Sequence, residues 1–66
     1  MSVIKVIEIL SESSVSWEDA VKQAVAKVSN TIHNVKSVYI KDHSVEVENG
    51  AIKNYRINAK VSFMLD

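Results

Sequence analysis

Val45-Glu46-Val47-Glu48-Asn49-Gly50-Ala51-Ile52-Lys53-Asn54-Tyr55 is the stretch on which the fold turns. Asn-Gly is the strongest short-range signal for a two-residue type I′ hairpin, because both loop residues take positive φ. Beyond it Tyr55, Ile57, Ala59, Val61, Phe63 and Leu65 alternate with Asn54, Arg56, Asn58, Lys60, Ser62 and Met64. A period of two means one long strand with an apolar face and a mostly polar face. In a chain of 66 residues a single helix covers one face of such a strand. The polar face is therefore expected to meet other copies of the chain.

Working back across the turn, residues 36–47 read as the strand that pairs with it. With Asn49 and Gly50 as the loop, Glu48 opposes Ala51, Val47 opposes Ile52, His43 opposes Arg56, Ile40 opposes Ala59 and Val38 opposes Val61. Opposed residues share a face. Val38 and Ile40 then join Ile57, Ala59, Val61 and Phe63 on the helix side. Val45, Val47 and Ile52 cluster on the far side near the tip. The rest of that far face carries Ser37, Tyr39, Lys41, His43, Asn54, Arg56, Asn58, Lys60 and Ser62. The apolar parity changes along residues 36–47, and a bulge near Asp42 would alter this assignment.

Residues 1–10 read as a first strand, with Val3, Ile7 and Ile9 on one face and Ile4, Val6 and Leu10 on the other. Apolar residues on both sides imply cover on both faces, at least in part. Ser11-Glu12-Ser13-Ser14 reads as a polar turn. Ser16 is the expected helix N-cap, with Glu18 and Asp19 favouring the positive end of the helix dipole. Trp17, Ala20, Val21, Ala24, Val25, Val28, Ile32 and Val35 form an apolar stripe at helical spacing, ending near Asn34. The expected architecture is α+β with the order β-α-β-β. One helix packs on one face of an antiparallel three-stranded sheet of order 1-3-2, a single domain over residues 1–66.

Eight basic residues balance eight acidic ones and no basic run occurs, which argues against a nucleic-acid partner. No apolar stretch approaches the about 20 residues of a membrane span, and the N-terminus has no signal-peptide profile. The expectation is a soluble, cytoplasmic protein with no membrane partner. Without cysteine there are no disulfides and no Cys-based zinc site. A domain of this size buries only about 60% of its unfolded surface, so oligomerisation is the expected route to stability.

The β-α-β-β order, Trp17-Glu18-Asp19-Ala20 after a polar turn, the Asn34-Val35 exit, and Tyr55-Arg56 followed by Val61-Ser62-Phe63 resemble the dodecins. The resemblance covers nearly the whole chain. It implies a non-enzymatic, hollow homododecamer that stores or sequesters flavins such as riboflavin or FMN, as stacked pairs in many members. At the flavin positions this chain departs from that pattern. Ser37 stands where flavin-binding members place a stacking tryptophan, and Arg56 stands where they place a glutamine. Serine has no π-face, and arginine has five donors and no acceptor. Loss of a stacking ring forfeits about 1–3 kcal/mol if base–aromatic stacking is a guide. The chain is thus similar to the subgroup lacking that pair, typified by calcium dodecin. The alternative to weakened flavin binding is a flavin-free shell, structural or holding a divalent cation such as calcium or magnesium. Asp42 matches an acidic position that helps hold a hydrated cation in some dodecins, and Glu46, Glu48 and Asn49 add oxygen ligands. Their spacing is not that of an EF-hand loop.

Each candidate has a plainer reading. Trp17 is a core residue or an intersubunit plug. Arg56 is an intersubunit salt bridge, to Glu46 or Glu48 of a neighbour. His33 and His43 have no matched ligand spacing for a transition metal. Ser13 and Ser14 belong to a turn and Ser16 to a cap, so no nucleophile is assigned. One glycine cannot build a phosphate cradle. Catalysis is not expected.

Overall fold

The computed structural model describes residues 3–65. Four elements follow one another: β1 (Ile4–Ser13), α1 (Trp17–Thr31), β2 (Val35–Glu48) and β3 (Ala51–Met64). The sheet order is β1-β3-β2 and both pairings are antiparallel, so the longest alternating run of the sequence is the central strand. Asn49 and Gly50 close the β2–β3 hairpin at φ 53° and 77°. Glu48 opposes Ala51 and Val47 opposes Ile52, as the Asn-Gly loop requires. No helix among the described residues is long and apolar enough to cross a membrane.

The serine run after Leu10 is not the turn its composition implies. Ser11, Glu12 and Ser13 extend β1, opposite Ile57, Arg56 and Tyr55. Their hydroxyls fasten the strand end to the helix start. Ser11 Oγ donates to the Ala20 carbonyl at 2.9 Å, and buried Ser13 Oγ donates to Asp19 Oδ2 at 2.6 Å. Ser13 Oγ also accepts from the Val15 N–H at 2.9 Å. Polar side chains with helix partners to bond are stable at a strand end, which composition alone does not reveal. The expected strand start at residue 1 lies outside the described residues.

Ser16 caps α1, its hydroxyl accepting from the Asp19 N–H at 2.9 Å. The helix stops at Thr31, where the Ile32 N–H returns to the Val28 carbonyl. Asn34 then turns the chain at φ 63°, so the helix ends before Asn34 and that residue starts the path into β2. Ala20 and Ala24 of α1 meet Ile57 and Ala59 of β3, with Ile9, Val21 and Val38 packed around them. Methyl-sized side chains on both partners let the helix lie close against the central strand.

The hairpin register shifts at three places, between Val35 and Ser37, Ile40 and Asp42, and Glu46 and Val47. Lys36 and Lys41 in β2 and Lys53 in β3 are the residues left without an opposite number. Each extra residue reverses the inside–outside parity of the residues beyond it. Val38 opposite Val61 and Ile40 opposite Ala59 are as expected, but His43 opposes Ile57 and Ser44 opposes Arg56. Val45 opposes Tyr55, whose ring meets Trp17, so His43 and Val45 lie on the helix side. Alternation carries Val47, and Ile52 across from it, to that same side. Their expected far-side position is therefore wrong, and the change of apolar parity along residues 36–47 is explained by the unpaired residue between Ile40 and Asp42.

The sheet outruns the helix. Fifteen residues of α1 span about 22 Å, whereas the 14-residue strands of the hairpin span about 46 Å. The protein is accordingly elongated, 51 × 20 × 13 Å, with the hairpin end free of helical cover.

Candidate functional site

Arg56 sits at the centre of the far face, in a row with Glu12 of β1 and Ser44 of β2. Its Nε donates to Glu12 Oε1, and its Nη2 lies 3.1 Å from Glu46 Oε2. The second Glu46 oxygen accepts from Asn54 Nδ2 at 2.7 Å. Both acidic partners of Arg56 thus come from its own chain, where a neighbour's Glu46 or Glu48 was expected. Glu48 is instead paired with Lys53 at 2.9 Å. The Asn54 hydrogen bond, followed by the charges of Arg56 and Lys53, holds the Glu46 carboxyl below the usual carboxylate range against its desolvation. The Glu12 hydrogen bond holds the Arg56 guanidinium above its ordinary value, with the charges of Glu12 and Glu46 adding to it. Arg56 is engaged through Nε and Nη2 by two carboxylates of its own subunit.

Ser37 lies near the other end of the same face. It opposes Ser62 and shares a hydrogen bond with its hydroxyl. Ser62 lies six residue steps along β3 from Arg56, about 20 Å of strand. One chain therefore does not bring Ser37 and Arg56 together. Tyr39, exposed and opposite Lys60, is the ring on this face two residues from Ser37.

The three acidic candidates also lie apart. Asp42, Glu46 and Glu48 follow one another along β2, opposite Asn58, Asn54 and Ala51. No group of three His, Cys, Asp or Glu side chains converges on a metal position among the described residues. Asp42 differs from the other two, since no cation pairs with it among the described residues. Its opposite number, Asn58, has a buried Oδ1 with no hydrogen-bond partner.

On the helix side of the hairpin, three rings meet that sequence reasoning did not bring together. Trp17 Nε1 donates to the Ser44 carbonyl at 2.9 Å. Its indole stands edge-on to His43, centroids 5.0 Å apart, and to Tyr55 at 5.2 Å. Trp17 thus locks the helix start onto the hairpin while staying partly exposed. His43 was hidden from this cluster by the extra residue at Lys41, which turns it to the helix side. Along the β1 edge, a groove of about 370 Å³ opens between β1 and α1, lined by apolar Ile9, Leu10, Ala24 and Val28 and by polar Ser11, Glu12, Gln23 and Lys27.

Residues 3–66 match the dodecin family model. Calcium dodecin from Mycobacterium tuberculosis is 32% identical over 65 residues, covering 98% of this chain and 92% of that protein. The crystal structure of that calcium-chelating antigen, described as having a novel calcium-binding site, is similar at a TM-score of 0.86 and 33% identity, over 98% of this chain and 93% of the other. The fold likeness extends to the dodecin of Streptomyces coelicolor, with a TM-score of 0.95 at 22% identity over 98% and 93% of the two chains. It extends also to a Thermus thermophilus protein, at 0.93 and 23% identity over 100% and 97%.

Proposed function

Because the chain belongs to the dodecin family, whose members are small binding proteins, we propose that it forms a non-enzymatic shell of identical subunits, by family default a dodecamer in the cytoplasm. Its side chains suit a divalent cation better than a flavin ring. The observation that carries this reading is the pairing of Asp42 with Asn58, whose buried Oδ1 has no partner. A buried amide oxygen without a donor is costly, and a cation held by the exposed Asp42 carboxylate across from it would complete it. Glu46 and Glu48 are already neutralised by Arg56 and Lys53, which leaves Asp42 as the available carboxylate. Calcium takes about six to eight oxygens, so neighbouring copies and water supply the rest. The calcium-chelating relative at 33% identity supports the same choice of ion.

Flavin is disfavoured at both family positions. Ser37 offers a hydroxyl where a ring would stack, and Arg56 is engaged by Glu12 and Glu46. A flavin site using both positions draws them from different copies, since they lie far apart in one chain. Riboflavin or FMN then binds weakly, with Tyr39 as the remaining ring on that face.

Melting of chelator-stripped protein with and without calcium or magnesium tests the proposal, alongside riboflavin fluorescence quenching. The expected result is a rise in Tm with the ion, lost in Asp42→Asn, and little quenching by riboflavin. Tight riboflavin binding with no response to either ion would overturn it. Restoring the family pair, Ser37→Trp with Arg56→Gln, is expected to tighten riboflavin more than either change alone.

A further inference from the structure

We propose that Glu8 is a positioning residue for the cation site at Asp42. It holds the Lys41 ammonium over β3, and so keeps that neighbouring lysine from taking the place of the ion. The proposal rests on the divalent-cation reading above and adds what keeps that site open.

Lys41 is the extra residue of the bulge in β2, between Ile40 opposite Ala59 and Asp42 opposite Asn58. In such a bulge two residues of one strand oppose one of its partner. Asn58 alternates with the core residues Ile57 and Ala59, so Asp42 across from it lies on the far face. Lys41 reaches that face too, since its ammonium meets Glu8, whose neighbour Ile9 packs against the core from the helix side. The fold thus sets a lysine beside the far-face carboxylate that has no ion pair among the described residues. A flexible cation one residue away is the natural competitor of any ion bound there.

Glu8 is what holds this competitor. Lys41 Nζ lies 3.4 Å from Glu8 Oε2, while no ion pair joins Lys41 to Asp42. Glu8 belongs to β1 and Lys41 to β2, with β3 between them. The two side chains therefore bridge two strand spacings, about 9.6 Å. The residue directly opposite Glu8 is Lys60, which has no ion pair among the described residues. Glu8 thus pairs with the bulge lysine rather than with the one across from it. Both groups are about half exposed, at 48% and 45%, and 3.4 Å is long for a charge-assisted bond. Such a pair adds little to stability, and its effect is on where the lysine charge rests. With Glu8 neutral, the carboxylate left for Lys41 is that of Asp42.

Calcium titration of chelator-stripped protein by calorimetry, at fixed ionic strength, tests this in wild type, Glu8→Gln, Lys41→Met and the double variant. An exposed lysine–carboxylate pair outweighs its open form about one- to five-fold, so Glu8→Gln is expected to weaken the apparent affinity about two- to six-fold. Lys41→Met removes the competitor, and adding Glu8→Gln to it is expected to have little further effect. A loss of the same size in both backgrounds overturns the proposal, because Glu8 then acts only through its own charge on the ion. So does a Glu8→Gln protein that binds calcium like wild type. Both positions are half exposed, and thermal melts without calcium check that the variants fold. A wild type with no calcium response removes the Asp42 reading and this proposal with it. Calcium binding by wild type together with either of the two former results overturns the role of Glu8 alone.

Discussion

The same substitution made at Ile57 and at Ile52 separates the core of a subunit from the exposed apolar end of its hairpin. Ile57 is 1% exposed in a cluster with Ala20, Ala24 and Ala59, with Ile9, Val21 and Val38 packed around it. Ile57→Ala deletes three carbons at about 0.8 kcal/mol each, and the residual cavity brings the cost to about 3–4 kcal/mol. A chain of 66 residues holds about 3–10 kcal/mol in total, so this variant loses a third or more of its stability. Ile52 is half-exposed with no shell around it, so within one subunit the same change costs about 1 kcal/mol and opens no cavity. If a second copy covers Ile52, its cost increases with assembly and depends on protein concentration. The assay is urea unfolding followed by Trp17 fluorescence, repeated at low and high protein concentration. Equal losses at the two positions at every concentration would refute the reasoning, as would an Ile57→Ala cost under about 1 kcal/mol.

Three further outcomes are expected. Ser16→Ala removes the acceptor for the Asp19 N–H and lowers stability by about 1 kcal/mol in thermal melts. The Asp19 carboxyl is held below its ordinary value, first by the Ser13 hydroxyl and then by Gln23, with Lys22 adding a smaller pull against desolvation. Since the folded form has the depressed pKa, that stabilisation is present above the carboxylate range and is lost as pH falls through it. Ser13→Ala therefore flattens the acid limb of a Tm-against-pH curve, and an unchanged limb would contradict the assignment. Arg56→Ala leaves Glu12 and Glu46 facing one another without their shared cation, so Tm in plain buffer falls. A variant that melts like the wild type, yet loses a stabilisation by phosphate or FMN that the wild type shows, would make Arg56 a ligand residue instead.

Much of the fold was legible because its signals are local. Asn49-Gly50 demands a tight hairpin through backbone sterics, and Ser16 before an apolar stripe marks a helix start through unsatisfied N–H groups. The alternation from Tyr55 onward identified the central strand, and the helix stripe identified Ala20 and Ala24 as its contact with that strand. The candidate residues were less legible. Ser37 and Arg56 were singled out by what they replace in the dodecin pattern, and nothing in their own spacing showed that about 20 Å of strand divides them. Glu46 and Asp42 look alike in sequence, yet Arg56 and Asn54 hold one while the other has no ion-pair partner among the described residues.

By itself, then, the sequence determined the element order, the hairpin turn, the helix cap, the strand order and the family. The tertiary structure alone decided which way the side chains of the hairpin face and which charges meet. Three unpaired lysines reverse parity along β2 and β3, sending His43 to Trp17 and Ile52 to the helix side. Serines read as a turn became a strand end because Asp19 and Ala20 were there to bond them. The parity change along residues 36–47 hinted at the bulge beside Asp42, but the bulges at Lys36 and Lys53 and the cross-strand partners are properties of two strands at once, which no period along a single strand fixes.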